Sequence, residues 1–122
     1  MSAQPTPDLP ALPGIDVAAG LKRLLNKPAL YEKVLRDFHQ RFLPSAARIR
    51  TQLADGEVLA AAQEAHSLKG LAGAIAATEL QTLAASLEQA LRTGADAQLA
   101  LSAFEAELAK VLDGIAQAWP TA

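Results

Sequence analysis

The segment 65–88, "AHSLKGLAGAIAATELQTLAASLE", decides the fold of this chain. Alanine and leucine dominate it, and both residues cost little free energy in an α-helix. Thr78 followed by Gln81 has the spacing of a capping box, the pattern at which a new helix begins. The segment therefore predicts a helix over about residues 57–76, a tight corner, and a second helix that Gly94 closes near residue 93.

The flanking sequence predicts further helices on both sides of this corner. Asp16 is placed to cap a short helix, and Pro28 suits the first turn of a long apolar-striped helix that reaches about residue 54. Pro44 lies inside that stripe and predicts a kink. The stretch 94–119 supplies the last helix. Short loops between long helices predict an all-α antiparallel four-helix bundle, with the short N-terminal helix covering one end.

Length and composition predict one domain. The chain has 122 residues, of which 51% are hydrophobic, enough for one buried core. Residues 1–13 are rich in proline and predict a flexible tail or linker, and residues 14–119 form the predicted domain. No uninterrupted apolar run reaches the roughly 18 residues of a membrane span, so we expect a cytoplasmic protein without direct membrane contact. Without cysteine, and with two histidines far apart, no metal site is expected.

Charge is unevenly distributed along the chain. The first fifty residues hold eight cations and four acids, a net +4, and the remainder holds three cations and nine acids, a net −6. Such a chain could attract an acidic partner to its basic half, although solvated basic faces without a partner explain the pattern equally well. Nucleic acid is disfavoured, because aromatic residues make up only 4% of the chain and the pI is about 5.6.

The single histidine of the central helix is predicted to face outward. If Leu68 is the centre of the core-facing stripe, His66 points about 160° away from it. The same outer face is predicted to carry six other residues, namely Leu59, Ala62, Gln63, Lys69, Gly70 and Gly73. A glycine inside a helix costs about 1 kcal/mol relative to alanine, so two glycines beside the histidine predict close approach by a large partner.

An exposed imidazole next to an ammonium group suits phosphoryl acceptance. Neutral imidazole is a nucleophile near pH 7 and needs no dedicated base. Phosphoryl transfer requires mainly that the reacting groups are positioned and that positive charge lies near the phosphoryl oxygens. Lys69, at i+3 from His66, can supply that charge. Hydrolase chemistry is disfavoured, because no serine, cysteine or second carboxylate accompanies His66 at the spacing of a catalytic triad.

These residues resemble a known family signature. The segment 65–88 is similar to the helix of histidine-containing phosphotransfer (HPt) domains, which bears His-x-x-Lys-Gly and is followed by a turn and a helix ending in Leu-Glu or Leu-Gln. The segment 12–42, "LPGIDVAAGLKRLLNKPALYEKVLRDFHQRF", resembles the lead-in and second helix of the HPt domains found at the C-terminus of bacterial hybrid sensor histidine kinases. Ala76 stands where the family commonly has glycine, so the resemblance does not fix the residue at which this helix ends.

The resemblance implies a role for several residues. His66 would be the phosphohistidine, Lys69 the cation that stabilises the phosphate, and Gly70 the position that lets a partner dock. Glu88 occupies the position where members place Gln or Glu near the imidazole, and Arg92 the position of a second cation in some members. From spacing alone, Glu88 and Arg92 could equally be a surface pair at i and i+4.

The resemblance also implies a function and partners. His66 would accept a phosphoryl group from the phospho-aspartate of a receiver domain and pass it to the aspartate of another. Magnesium is expected in the receiver and no cofactor here. The partners would be response-regulator receiver domains that dock around His66. A hybrid sensor histidine kinase could be part of the same chain. The domain is expected to be a monomer. Two alternatives remain open, the phosphate-accepting domain of a chemotaxis-type histidine kinase and a non-catalytic helical interaction module.

Overall fold

The computed structural model describes residues 9–120, which form six α-helices and no strand. In chain order they are α1 (Val17–Arg23), α2 (Pro28–Phe42), α3 (Ser45–Ala54), α4 (Val58–Ala74), α5 (Thr78–Thr93) and α6 (Gln98–Ala118).

The long helices form a closed bundle. The bundle has four helical columns, and α2 and α3 together form one of them. α2 packs against α6, and α3 packs against α4. α5 lies between α4 and α6 and completes the ring. Short connections reverse the chain between successive positions, so neighbours run antiparallel. The largest fully buried side chains include Tyr31, Phe42, Phe104, Leu35, Ile49 and Leu68. The predicted helical bundle is confirmed.

The predicted kink at Pro44 is a complete break. α2 ends at Phe42 and α3 begins at Ser45, because Pro44 has no N–H to donate to the preceding turn. Ser45 is fully buried at the break, and its hydroxyl donates to Oε2 of Glu64 on α4 at 2.5 Å. The prediction of one kinked helix is therefore wrong, and the break gives the two halves different neighbours.

The short helix α1 covers one end of the bundle, as predicted. Asp16 caps it by accepting a hydrogen bond from the Ala19 amide at 3.0 Å. The Asp16 amide in turn donates to the carbonyl of Ala76 at 3.0 Å, just beyond α4. Gly20 is buried, and a Cβ there would overlap the Tyr31 hydroxyl. These contacts hold α1 over the α4–α5 corner.

The Tyr31 hydroxyl is part of the same end of the bundle. It donates to the carbonyl of Ile75 at 2.8 Å, in a buried position. Burial raises the pKa of Tyr31 to about 12, with the Asp16 carboxylate adding to the effect and Arg23 opposing it. The hydroxyl therefore stays protonated and remains a donor at neutral pH.

The α4–α5 corner differs from the predicted capping box. Ala77 is the N-cap of α5, no side chain caps it, and Thr78 is already helical. α4 ends at Ala74, and Ala76 follows with φ +65° in the left-handed region. A left-handed conformation favours glycine and costs an alanine roughly 1–2 kcal/mol. Gly94 closes α5 with φ +76°, as predicted.

Two residues of the segment predicted as a tail, Leu12 and Pro13, pack against the bundle. Leu12 is 5% exposed and belongs to the core, and Pro13 occupies the space that a Cβ on Gly114 would take. The packed region therefore begins before residue 14. The rest of the predicted tail, residues 1–8, lies outside the described residues.

We expect Gly20→Ala to destabilise the protein by about 1–3 kcal/mol, because its Cβ would overlap the buried Tyr31 hydroxyl and approach the Ile75 carbonyl to 2.9 Å. Urea unfolding followed by circular dichroism measures the change. As a control, Ala18→Ser on the exposed side of α1 should shift the unfolding free energy by less than about 0.5 kcal/mol. Equal stabilities for Gly20→Ala and the parent would contradict this packing.

Candidate functional site

His66 lies on the outer surface of α4, beside α5. Its side chain is 52% exposed, which confirms the predicted outward orientation. The ring nitrogen Nδ1 lies 3.1 Å from Oε2 and 3.2 Å from Oε1 of Glu88. One edge of the ring is thus held by α5, and the other edge carries Nε2.

Glu88 connects three cationic or polar groups. Besides His66, it accepts hydrogen bonds from Nζ of Lys69 at 3.0 Å and from Nε of Arg92 at 2.8 Å. Its side chain is only 12% exposed. Burial raises the pKa of Glu88, but the hydrogen bonds from Arg92, Lys69 and His66 outweigh burial and lower it to about 2. Glu88 is therefore a carboxylate throughout the neutral range.

The charge state of Glu88 determines the tautomer of His66. An ionised carboxylate has no proton to donate, so the Nδ1 nitrogen of a neutral His66 must be the donor. The lone pair of the neutral ring then resides on Nε2, across the ring from Glu88. His66 consequently offers a nucleophilic nitrogen on its partly exposed side without needing a base to remove a proton.

The four side chains meet because of helical spacing on two packed helices. His66 and Lys69 are three residues apart on α4, and Glu88 and Arg92 are four apart on α5, so each pair shares a face. α4 packs against α5, which brings the two faces together. Glu88 contacts α4 as well as Arg92, so the interpretation of Glu88 and Arg92 as an isolated surface pair is wrong.

The outer face of α4 carries only part of the predicted set. Leu59, Gln63 and Gly70 are exposed, and they lie about 20–60° to one side of His66 at about 100° per residue. Leu59 is 70% exposed. These three residues form an open surface next to the imidazole, as predicted.

The other side of His66 is covered by α5. Ala62 lies about 40° from His66 in the direction of Lys69, whose ammonium contacts Glu88. It is fully buried, so the prediction that Ala62 lies on the outer face is wrong. A single core stripe centred on Leu68 underestimates the buried arc, since α4 has neighbours on two sides, α3 and α5.

The two glycines of α4 have different surroundings. A Cβ on Gly70 would meet no atom within 4 Å, so this position leaves open space beside His66. A Cβ on Gly73 would lie 2.5 Å from Nε2 of Gln81, the end of a side chain on α5. The Gly73 carbonyl also accepts a hydrogen bond from Arg23 of α1. Gly73 therefore serves packing within the chain, and only Gly70 provides the predicted clearance.

Other features of the described residues lie apart from this site. A groove of about 710 Å³ between α2 and α6, lined in part by His39 and Trp119, is on the opposite edge of the bundle from α4 and α5. No three potential metal ligands cluster anywhere between residues 9 and 120. Over the same range, every helix is too short or too polar to cross a membrane.

Comparison with known proteins gives one match. Residues 33–119 match the model of a protein family described as "Hpt domain", which covers 87 of the 122 residues. The matched range includes α4, α5 and all four side chains of the His66–Glu88 cluster. Searches among curated proteins and solved structures gave no significant match.

The Glu88 carboxylate should make stability depend on pH. Its pKa falls from 4.5 to about 2 on folding, so its contribution is complete above about pH 4.5 and is lost as the pH falls towards 2. Glu88→Gln should therefore lower the unfolding free energy at neutral pH, on the order of 1–2 kcal/mol because the partners are partly exposed. The difference should close near pH 2.

Urea titrations between pH 2 and 7 measure this difference. Asp113→Asn is the matched control, because Asp113 is exposed on α6 and forms no ion pair within residues 9–120. A gap between Glu88→Gln and the parent that is constant across the pH range would argue against the carboxylate network.

We expect Gly70→Ala to stabilise the protein by about 0.5–1 kcal/mol, because a helical alanine is favoured over glycine and its Cβ meets no neighbour. Gly73→Ala should gain less, since the Gln81 amide must move. Thermal unfolding of both variants measures the difference. An unaltered or lower melting temperature for Gly70→Ala would show that this position is not free of internal contacts.

Proposed function

Because the chain belongs to the Hpt domain family, we propose that His66 accepts a phosphoryl group from the phospho-aspartate of one receiver domain and passes it to the aspartate of another. Domains of this family serve histidine phosphotransfer in phosphorelays and interact with response-regulator receiver domains. The observation that supports the role of His66 is its contact with Glu88, which holds Nδ1 and leaves Nε2 available on a half-exposed ring.

The proposed step is a direct displacement at phosphorus. The Nε2 lone pair forms the new P–N bond while the P–O bond to the receiver's aspartate breaks, and the aspartate oxygen keeps the electron pair. No proton has to move, because the Nδ1 proton stays in its hydrogen bond to Glu88. The ring gains positive charge, and the adjacent Glu88 carboxylate compensates it.

Lys69 and Arg92 supply positive charge to the phosphoryl oxygens. An ammonium group has three N–H donors and a guanidinium group has five. Lys69 and Arg92 each donate one hydrogen bond to Glu88. The remaining donors of both side chains are available beside His66. Their charge favours the equatorial oxygens of the group in transit.

The phosphorylated form is proposed to be long-lived in the absence of a receiver. Glu88 is the carboxylate that contacts His66, and it does so at Nδ1, across the ring from the phosphorylated nitrogen. It is thus badly placed to activate a water molecule at the phosphorus. We assign the magnesium ion that assists transfer to the receiver domain. The reverse transfer then needs the same positioning, positive charge and magnesium ion as the forward transfer. A relay requires transfer in both directions.

We expect His66→Gln to abolish phosphoryl acceptance, because it removes the only nucleophilic nitrogen in the cluster. The measurement is transfer of labelled phosphate from a panel of receiver domains charged with acetyl phosphate and magnesium. His39→Gln is the matched control and should accept as much phosphate as the parent, since His39 lies in the α2–α6 groove. Circular dichroism should show that both variants keep the helical fold.

The same measurement separates the alternative functions. A non-catalytic interaction module would take up no phosphate from any receiver, and His66→Gln would change nothing. A chemotaxis-type phosphate-accepting domain would be labelled from ATP by its own catalytic domain. Label on the parent at a residue other than His66, or undiminished label on His66→Gln, would overturn the proposal.

A further inference from the structure

The positive charges without an ion pair are concentrated at one end of the bundle. Seven of the eleven Lys and Arg side chains pair with an acidic side chain, and within residues 9–120 the other four do not. Three of these four, Lys22, Arg23 and Lys27, lie at the end of α1 and in the loop that leads to α2, and all three are exposed. The six residues 22–27 therefore form a basic tip.

The basic tip also exposes a large apolar side chain. Leu25 is 73% exposed, and Leu30, in the first turn of α2, is 41% exposed. Leu25 and Asn26 both have a left-handed backbone conformation, with φ +61° and +56°. Asparagine tolerates this conformation, whereas leucine adopts it at a cost. Hydrogen bonds from both amides to the carbonyls of Lys22 and Leu21 fix the loop. A strained loop thus holds a leucine out in water.

Acidic side chains at this end of the bundle lie away from the basic tip. Asp16 caps the opposite end of α1, about 10 Å along the helix axis. Glu79 is at the start of α5 and Asp113 is on α6, whereas the tip joins α1 to α2. Glu32, the first acid of α2, is paired with Arg36. The field around the tip is therefore positive, although the chain has a net charge of −2.

The basic tip is separate from the surface around His66. His66 lies eight residues before the end of α4, about 12 Å along the helix axis, and its ring faces the side of the bundle. The tip belongs to the segment that covers the end of the bundle. Neither of the two clefts beside α2 is lined by residues 22–27. The tip thus presents protruding side chains to a partner and leaves His66 accessible.

We propose that the basic tip binds the surface of an anionic phospholipid bilayer: Leu25 enters the interfacial region, and Lys22, Arg23 and Lys27 lie against the headgroup phosphates. A protruding leucine flanked by unpaired cations is complementary to such a surface in both charge and polarity. An acidic protein would match the charge, but it would also need a pocket for the leucine. The sequence-based expectation of no direct membrane contact rested on the lack of a spanning run, and a peripheral contact needs none.

The contact orients the protein and does not anchor it. Each cation near an anionic bilayer strengthens binding about fivefold, so three cations and one leucine bind more weakly than a single myristoyl chain, with its association constant of about 10⁴ M⁻¹. The acidic remainder of the chain is repelled by the same surface. Binding therefore favours one orientation, with α1 on the bilayer and α4 extending away from it.

Co-sedimentation of the full chain with lipid vesicles tests the proposal without any phosphoryl transfer. The parent should bind vesicles of equal parts phosphatidylserine and phosphatidylcholine, and should bind pure phosphatidylcholine at least about tenfold more weakly. Binding should be lost in about 1 M salt, where the Debye length falls to about 3 Å. Lys22→Gln combined with Lys27→Gln should weaken binding about tenfold. Leu25→Asn should weaken it about fivefold, because asparagine suits the left-handed conformation but removes the apolar side chain.

Two control variants match these changes. Arg36→Gln combined with Arg41→Gln alters the net charge equally, at exposed positions at least about 13 Å from Lys27 along α2. Leu99→Asn removes a leucine that is 87% exposed on α6. Both controls should bind within about twofold of the parent at physiological salt, and circular dichroism should show the parent fold in every variant. Tip variants that bind like the controls, or equal binding to neutral and anionic vesicles, would overturn the proposal. A parent that binds neither vesicle would overturn it in favour of an acidic protein partner.

Discussion

The carboxylate of Glu88, held between α4 and α5, is the contact on which the site depends. Three donors on two helices converge on this largely buried group, and their hydrogen bonds keep it ionised despite burial. The same interaction joins the two helices and fixes the proton of the His66 ring on Nδ1. The packing of α4 against α5 and the orientation of the His66 ring therefore depend on the same group.

The surface next to this cluster is kept bare at a cost in stability. Gly70 sits in the interior of a 17-residue helix and touches nothing that a methyl group would displace. Helix propensity alone favours alanine there. A residue that weakens the helix without serving its packing is most readily explained by what approaches from outside. Gly73 looks similar in the sequence, but Gln81 occupies its free space, so its explanation lies within the chain.

The break at Pro44 and the helix α1 determine what surrounds the α4 surface. The break separates the neighbours of α2 from those of α3, and α1 covers the end of α4. α2 packs against α6, and α3 packs against α4. A cleft therefore remains between α2 and α4, beside Leu71. α1 covers the α4–α5 corner, where Asp16, Gly20 and Tyr31 contact the backbone around Ile75 and Ala76. The elements on both sides of the His66 face are thus held in place by the core.

The sequence by itself determined the helical class, the order of the long helices, the outward direction of His66 and its i+3 relation to Lys69, because these follow from periodicity within one helix. It could not determine which flank of α4 is covered, so it predicts Ala62 and Gly73 on the open face, although Ala62 is buried and Gly73 packs against Gln81 of α5. Only the tertiary structure decided that, together with the contacts of Glu88 with His66 and Lys69, since contacts across helices depend on how faces pack and not on spacing along one chain.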